Sequence, residues 1–207
     1  MKLYLFGGAE IPLHQVEPLK NLIKQVIVDF RPTSVLHIPF ARLNPTEKEW
    51  REGWFKEIMK DTGIKILDAR NDSDIDKATE SVLFINGGIG RYDLINVITN
   101  NPKLFQLIKN AQYIVGESAG AMVMGEYQRG ARGESTIIRG LGILKNTIIE
   151  PHYSERSSQQ LLADGMKKSG MKFGIGIDCV TAIVVDPQEF PGKWNKIGSG
   201  NIDVKMA

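Results

Sequence analysis

Tyr113-Ile114-Val115-Gly116-Glu117-Ser118-Ala119-Gly120-Ala121-Met122-Val123-Met124 sets a serine between two glycines, with a β-branched run before it and an apolar run after it. Gly-x-Ser-x-Gly between a strand and a helix is the setting of a nucleophile elbow. The turn is so tight that only small residues fit at Gly116 and Gly120. It lifts the serine hydroxyl to the carboxyl end of a strand and the start of a helix, where free N–H groups and the helix dipole favour an oxyanion. An ordinary strand-to-helix turn with a capping serine would read the same way locally, but the flanking elements favour catalysis.

A serine nucleophile needs a base, and the chain has three histidines. His37 lies inside the apolar run Val35-Leu36-His37-Ile38 and reads as a core or strand-end residue. His14, close to Pro12, reads as a solvent-exposed loop residue. His152 follows Thr147-Ile148-Ile149-Glu150-Pro151, which puts it at the carboxyl end of a strand and on the rim of Ser118 if the strands are parallel. A third member, a carboxylate, should fix the imidazole tautomer. Glu134, in Gly130-Ala131-Arg132-Gly133-Glu134-Ser135, lies between nucleophile and base, in a loop where it could equally pair with Arg132. Glu150 competes, because residues two apart on a strand share a face. Spacing leaves the two acids open. The oxyanion hole needs two N–H groups: that of Ala119, next to the nucleophile, and one from a neighbouring strand end. Val82-Leu83-Phe84-Ile85-Asn86-Gly87-Gly88 ends in paired glycines that allow close backbone approach, which makes Gly88 the candidate.

These residues must be positioned by a scaffold, and the hydrophobic pattern describes one. Short β-branched runs alternate with amphipathic segments, which reads as α/β with a largely parallel sheet and helices on both faces. Strands are expected at 2–6, 34–38, 64–68, 82–86, 113–115, 147–150, 173–177 and 181–185, mostly as continuous apolar runs. Val16, Leu19, Leu22, Ile23, Val26, Ile27 and Phe30 recur at helical spacing, as do Trp50, Trp54, Phe55, Ile58 and Met59. The second stripe has its own start signal in Asn44, Pro45 and Glu47, with Gly63 past its end. Asn101-Pro102 opens another helix. Beyond about Pro187 the pattern fades into an edge or covering segment. Only 34 residues separate Ser118 from His152, too few for the units that a standard α/β-hydrolase inserts there, so a smaller flavodoxin-like, three-layer sheet is expected.

Composition narrows the function classes. A chain of 207 residues buries roughly 70% of its unfolded surface, enough for one domain over 1–207 without disulfides. The single Cys179 cannot close an intramolecular disulfide, and no Cys/His cluster has zinc spacing, so a reducing cytoplasm, no metal and no cofactor are expected. No run is long and apolar enough for a membrane span or a signal-peptide core. With 26 basic and 24 acidic residues interspersed, the net charge of +2 gives no footprint for nucleic acid or an anionic membrane. The expected partner is a small peptide or similar molecule, met by a monomer or homodimer.

Ile38-Pro39-Phe40-Ala41, Asn86-Gly87-Gly88, Gly116-Glu117-Ser118-Ala119-Gly120-Ala121, Pro151-His152-Tyr153-Ser154-Glu155-Arg156 and Gly174-Ile175-Gly176-Ile177-Asp178 stand in an order and spacing that resemble the serine peptidases comprising dipeptidase E and cyanophycinase. The resemblance covers roughly 1–186 and implies a class I glutamine amidotransferase-like fold. It implies Ser118 as nucleophile, His152 as base, and Gly88 with Ala119 as oxyanion hole. It favours Glu134 as the acid, from the spacing of the acid behind the serine in these relatives. It also implies Arg156 as the residue that holds an acidic group of the substrate. Glu150 stands beside Arg156 as a candidate substrate-binding residue. Three departures stand out. Ile89-Gly90-Arg91 replaces a polar segment that carries an amide, Cys179 stands where many relatives have Glu, and fewer arginines follow His152. The expected activity is a serine-type peptidase acting on short peptides with an acidic N-terminal residue. The alternatives are a cyanophycinase-like isopeptidase, a small-acyl amidase or esterase, and a non-catalytic binding relative.

Overall fold

The computed structural model describes residues 1–42, 53–130 and 136–207. In chain order these form β1 (Lys2–Phe6), a 3-10 turn (Ile11–Leu13), α1 (Val16–Asp29), β2 (Ser34–Ile38), α2 (53–59), β3 (Lys65–Asp68), α3 (Asp72–Asp76), β4 (Val82–Ile85), α4 (Arg91–Asn100), α5 (Pro102–Asn110) and β5 (Tyr113–Glu117). There follow α6 (Ala119–Met122), β6 (Gly125–Arg129), β7 (Ile137–Arg139), β8 (Leu144–Pro151), α7 (Gln159–Ser169), β9 (Phe173–Ile177), β10 (Thr181–Val185), β11 (Trp194–Gly198) and β12 (Ile202–Met206).

A seven-stranded sheet runs β11-β10-β1-β5-β4-β2-β3, with β1, β5, β4, β2 and β3 parallel and β10 and β11 antiparallel at one side. Successive side chains on a strand point to opposite faces, and both faces here are covered. Leu3, Leu5, Leu36, Ile38, Leu83 and Ile85 pack with Leu94 and Ile98 of α4 and Leu104 and Ile108 of α5. The intervening Phe6, Val35, Val82 and Phe84 pack with Leu19, Ile23 and Ile27 of α1 and Phe55 and Met59 of α2. Such double burial is why these strands read as unbroken apolar runs, and it gives the expected three layers. Asn101 caps α5 by accepting from the Leu104 N–H at 3.1 Å. The start signal Asn44, Pro45 and Glu47 lies outside the described residues.

The second sheet departs from expectation. β8 and β9 do not extend the first sheet but form the parallel core of a five-stranded one, β12-β9-β8-β6-β7, which packs α7 through Ile148, Leu162 and Met166. The apolar run after Ser118 is one helical turn, not a longer helix, and the chain passes directly into β6. Met122, Val123 and Met124 are wholly buried, so this run has no polar face and its periodicity does not distinguish helix from buried connector. The segment after Pro187 supplies β11 and β12, an edge strand for each sheet. Among the described residues no helix is long and apolar enough to cross a membrane.

Candidate active site

The parallel strands β1, β5 and β4 end side by side, with Phe6 opposite Glu117 and Ile85 opposite Gly116. Their carboxyl ends deliver Gly7-Gly8, Ser118 and Gly87-Gly88 to one rim, where open α/β sheets bind ligands. Ser118 adopts φ 51° and ψ −104°, a conformation that costs on the order of 1–3 kcal/mol and persists only where its surroundings hold it. Here the Ser118 N–H donates to the Phe6 carbonyl at 2.9 Å. The flanking glycines are required: a Cβ on Gly116 would lie 2.6 Å from the Gly120 carbonyl oxygen, and one on Gly120 2.1 Å from that of Ile85.

His152 belongs to the other sheet, at the end of β8, and reaches the rim by donating its backbone N–H to the Gly7 carbonyl at 2.9 Å. It too has positive φ, 52°. Its Nε2 lies 3.1 Å from Ser118 Oγ, so the structure brings together the two side chains that the sequence pairs. Gly8, at φ 90°, seals one side of this pair, since a Cβ there would fall 2.6 Å from His152 Nε2.

The partners of His152 Nδ1 were not legible in the sequence. Glu10 Oε1 lies 3.0 Å away and Cys179 Sγ 3.2 Å away. Glu10 also accepts from Arg156 Nε. Cys179 donates its backbone N–H to Glu155 Oε1 at 3.0 Å. Burial, followed by the negative charges of Glu155 and Glu10, pushes the Cys179 thiol well above its ordinary pKa, so it stands beside the imidazole as a neutral S–H. Of the two acids weighed from the sequence, Glu134 lies outside the described residues. Glu150 needs correcting as a triad or substrate residue: it is 3% exposed, it is held by both Arg129 Nε, at 2.8 Å, and Arg129 Nη2, and it does not line the cleft. The shared face of Glu150 and His152 is lost because His152 leaves the strand at positive φ.

Opposite the histidine, the Gly87-Gly88 turn is clamped. Glu117 Oε2 accepts the Gly87 N–H at 2.6 Å, Arg42 Nε donates to the Gly87 carbonyl, and Arg42 Nη2 faces Glu117 Oε2 at 3.5 Å. In a trans peptide the carbonyl and the following N–H point opposite ways, so holding the Gly87 carbonyl fixes the direction of the Gly88 N–H. A Cβ on Gly88 would lie 2.2 Å from the Ala41 carbonyl oxygen. Ala119 opens α6, so its N–H has no acceptor within the helix. Because α6 spans four residues, these N–H groups, not a helix dipole, are what the elbow offers an oxyanion.

These groups meet in a cleft of about 840 Å³ lined by Glu10, Arg42, Gly88, Glu117, Ser118, His152 and Arg156, with Ile11, Pro12, Trp54 and Ile89 among its apolar wall. His14 is an exposed wall residue. His37, on β2, is 1% exposed and takes no part.

The family model for peptidase family S51 matches residues 3–191. The chain belongs to that family. It is 28% identical to a cyanophycinase of Geminocystis herdmanii, over 99% of this chain and 82% of that one. It is 26% identical to a cyanophycinase of Nostoc sp., over 97% and 72%. Two solved structures share its fold. One is a peptidase from an acI-B1 Actinobacterium, with TM-score 0.73 and 21% identity over 97% of this chain and 88% of that one. The other is described as a putative peptidase E of Listeria monocytogenes, with TM-score 0.60 and 14% identity over 100% and 98%. The S51 chain is thus a hydrolase of the serine peptidase type, a class whose substrates are peptides.

Proposed function

We propose that this S51 peptidase cleaves short peptides with an acidic N-terminal residue through an acyl-enzyme on Ser118. The observation that carries the reading is the 3.1 Å contact between Ser118 Oγ and His152 Nε2. His152 Nε2 takes the serine proton as Oγ attacks the scissile carbonyl, and the Gly88 and Ala119 N–H groups receive the oxyanion. The imidazolium then gives its proton to the leaving amine. A water molecule, deprotonated by the same nitrogen, hydrolyses the ester and restores Ser118.

Arg156 holds the acidic group of the substrate. Its Nε is occupied by Glu10, but a guanidinium has five N–H donors in a fork suited to a carboxylate. An isopeptide of aspartate offers the same carboxylate, and the relatives named cyanophycinase favour it as the second reading. The lone buried thiol of Cys179 suits a reducing cytoplasm.

The test is labelling with a fluorophosphonate followed by a panel of Asp-X, β-Asp-X and neutral dipeptides. Labelling is expected at Ser118 and absent in Ser118→Ala, with Asp-X hydrolysed fastest. Labelling at another serine removes the mechanism, and preference for neutral dipeptides removes the role of Arg156.

A further inference from the structure

The departure at Cys179 places a thiol, an imidazole nitrogen and a carboxylate together. His152 Nδ1, Cys179 Sγ and Glu10 Oε1 come from three separate loops, after β8, between β9 and β10, and after β1, and these atoms all lie within 4.8 Å of one another. Zinc bonds to such donors are about 2.0–2.3 Å long, which sets tetrahedral donors roughly 3.3–3.7 Å apart. Nδ1 stands 3.0 Å from Glu10 Oε1 and 3.2 Å from Cys179 Sγ, so it needs to part from each of them by only about half an ångström to admit the ion. A further carboxylate oxygen, Glu155 Oε2, is buried without a hydrogen-bond partner among the described residues, on the side chain whose other oxygen accepts from Cys179. Glu10 lines the cleft and gives the site an entrance.

We propose that Glu10, His152 and Cys179 bind one zinc-type divalent cation, and that its binding switches the peptidase off. The cation displaces the thiol proton to solvent and bonds to the resulting thiolate, to Nδ1 and to the carboxylate, with no change of oxidation state. With the Nδ1 lone pair on the metal, the neutral ring carries its proton on Nε2. That nitrogen then donates to Ser118 Oγ and cannot take its proton. Arg156, bonded to Glu10, opposes the incoming charge. This selects against hard ions such as Mg²⁺ and Ca²⁺, which gain little from a thiolate or an imidazole. The donors are too scattered along the sequence for a spacing motif to reveal them. The switch rests on the peptidase reading above, whereas the binding does not.

The experiment is titration of the metal-free full chain with Co²⁺, read by the thiolate-to-cobalt charge-transfer absorption. One equivalent should raise the band in both wild type and Ser118→Ala, and Zn²⁺ should displace it. Cys179→Ser and Cys179→Ala should lose it while keeping the wild-type circular dichroism spectrum. Loss of the thiol should weaken Zn²⁺ binding by more than the about 10- to 100-fold that removal of an outer hydrogen-bond partner costs. Fluorophosphonate labelling of wild type should fall on adding one equivalent of Zn²⁺ and return with a chelator, while each Cys179 variant keeps its own rate with and without Zn²⁺. No band in the folded wild type overturns the site. A band with unchanged labelling, or equal zinc inhibition of the Cys179 variants, overturns the switch. A protein that shows the band but is never labelled at Ser118 retains the metal site and loses the peptidase reading.

Discussion

His152 and His37 are both buried, 5% and 1% exposed, and both stand at or near the carboxyl end of a parallel strand. Their chemistry differs because their neighbours do. His37 lies against aromatic rings, with centroids 4.9 Å from Phe55 and 5.5 Å from Phe84. Neither of its nitrogens makes a hydrogen bond among the described residues, although the Asn86 amide is beside it. Burial pulls its pKa down to about 3, and it is a neutral part of the core. His152 has a hydroxyl on one nitrogen and a carboxylate and a thiol at the other. Burial therefore does not distinguish a histidine proposed as a catalytic base from a core one. The difference lies in whether each ring nitrogen has a group with which a proton can be exchanged or held.

The largest effect should come from removing what holds Nδ1. Glu10 has the contact, and Glu134 has the role by resemblance. Exchanging each for Gln should separate them, with kcat falling by up to about 10⁴-fold for the acid that orients the ring and much less for the other. Equal small losses would leave His152 without an orienting carboxylate. That would bring it closer to His37 than its contacts imply.

A smaller effect should follow on the opposite side of the scissile bond. Glu117→Gln keeps an acceptor for the Gly87 N–H but leaves Arg42 without its counter-charge. Loss of a whole oxyanion donor costs about 10²–10³ in kcat, so a loosened Gly88 N–H should cost roughly tenfold. Because that N–H is proposed to act on the oxyanion, KM should hold. A raised KM at constant kcat would instead make Glu117 a substrate contact.

The places of Ser118, His152 and the Gly-Gly turn on one rim were legible because each is a local pattern bound to a strand end: Ser118 after β5, His152 after β8, Gly88 after β4. Gly7-Gly8 had the same form after β1 and could have been read as the third such turn. Glu10 could not, since an acid in a loop three residues past a glycine has no periodic or spacing signature, and neither could its meeting with Cys179, which depends on two sheets converging. The second sheet was hidden for a related reason. β8 and β9 look like any doubly buried strands, and nothing in an apolar run tells which sheet it joins.

The last prediction turns on His37. Its native pKa of about 3 is below its ordinary 6.5. Between those values the unfolded chain binds a proton that the native protein refuses, so the contribution to stability is full above pH 6.5 and is lost as pH falls through that window. Asp68, opposite His37 on β3, pulls the other way, while Arg70 and Lys56 add to the depression. Each pH unit inside the window is worth up to about 1.4 kcal/mol. His37→Phe, which puts a third ring against Phe55 and Phe84, removes the titrating group. Urea denaturation at pH 6.5 and pH 5 should then show wild type losing about 1.6 kcal/mol more than the variant, with Ser118 labelling at pH 7 unchanged. A parallel loss in both proteins would mean that His37 is protonated in the fold or that carboxylates such as Asp68 govern the window. A fall in labelling would mean that the aromatic layer beneath β4 steers the Gly87-Gly88 turn, and the two histidines would belong to one coupled site.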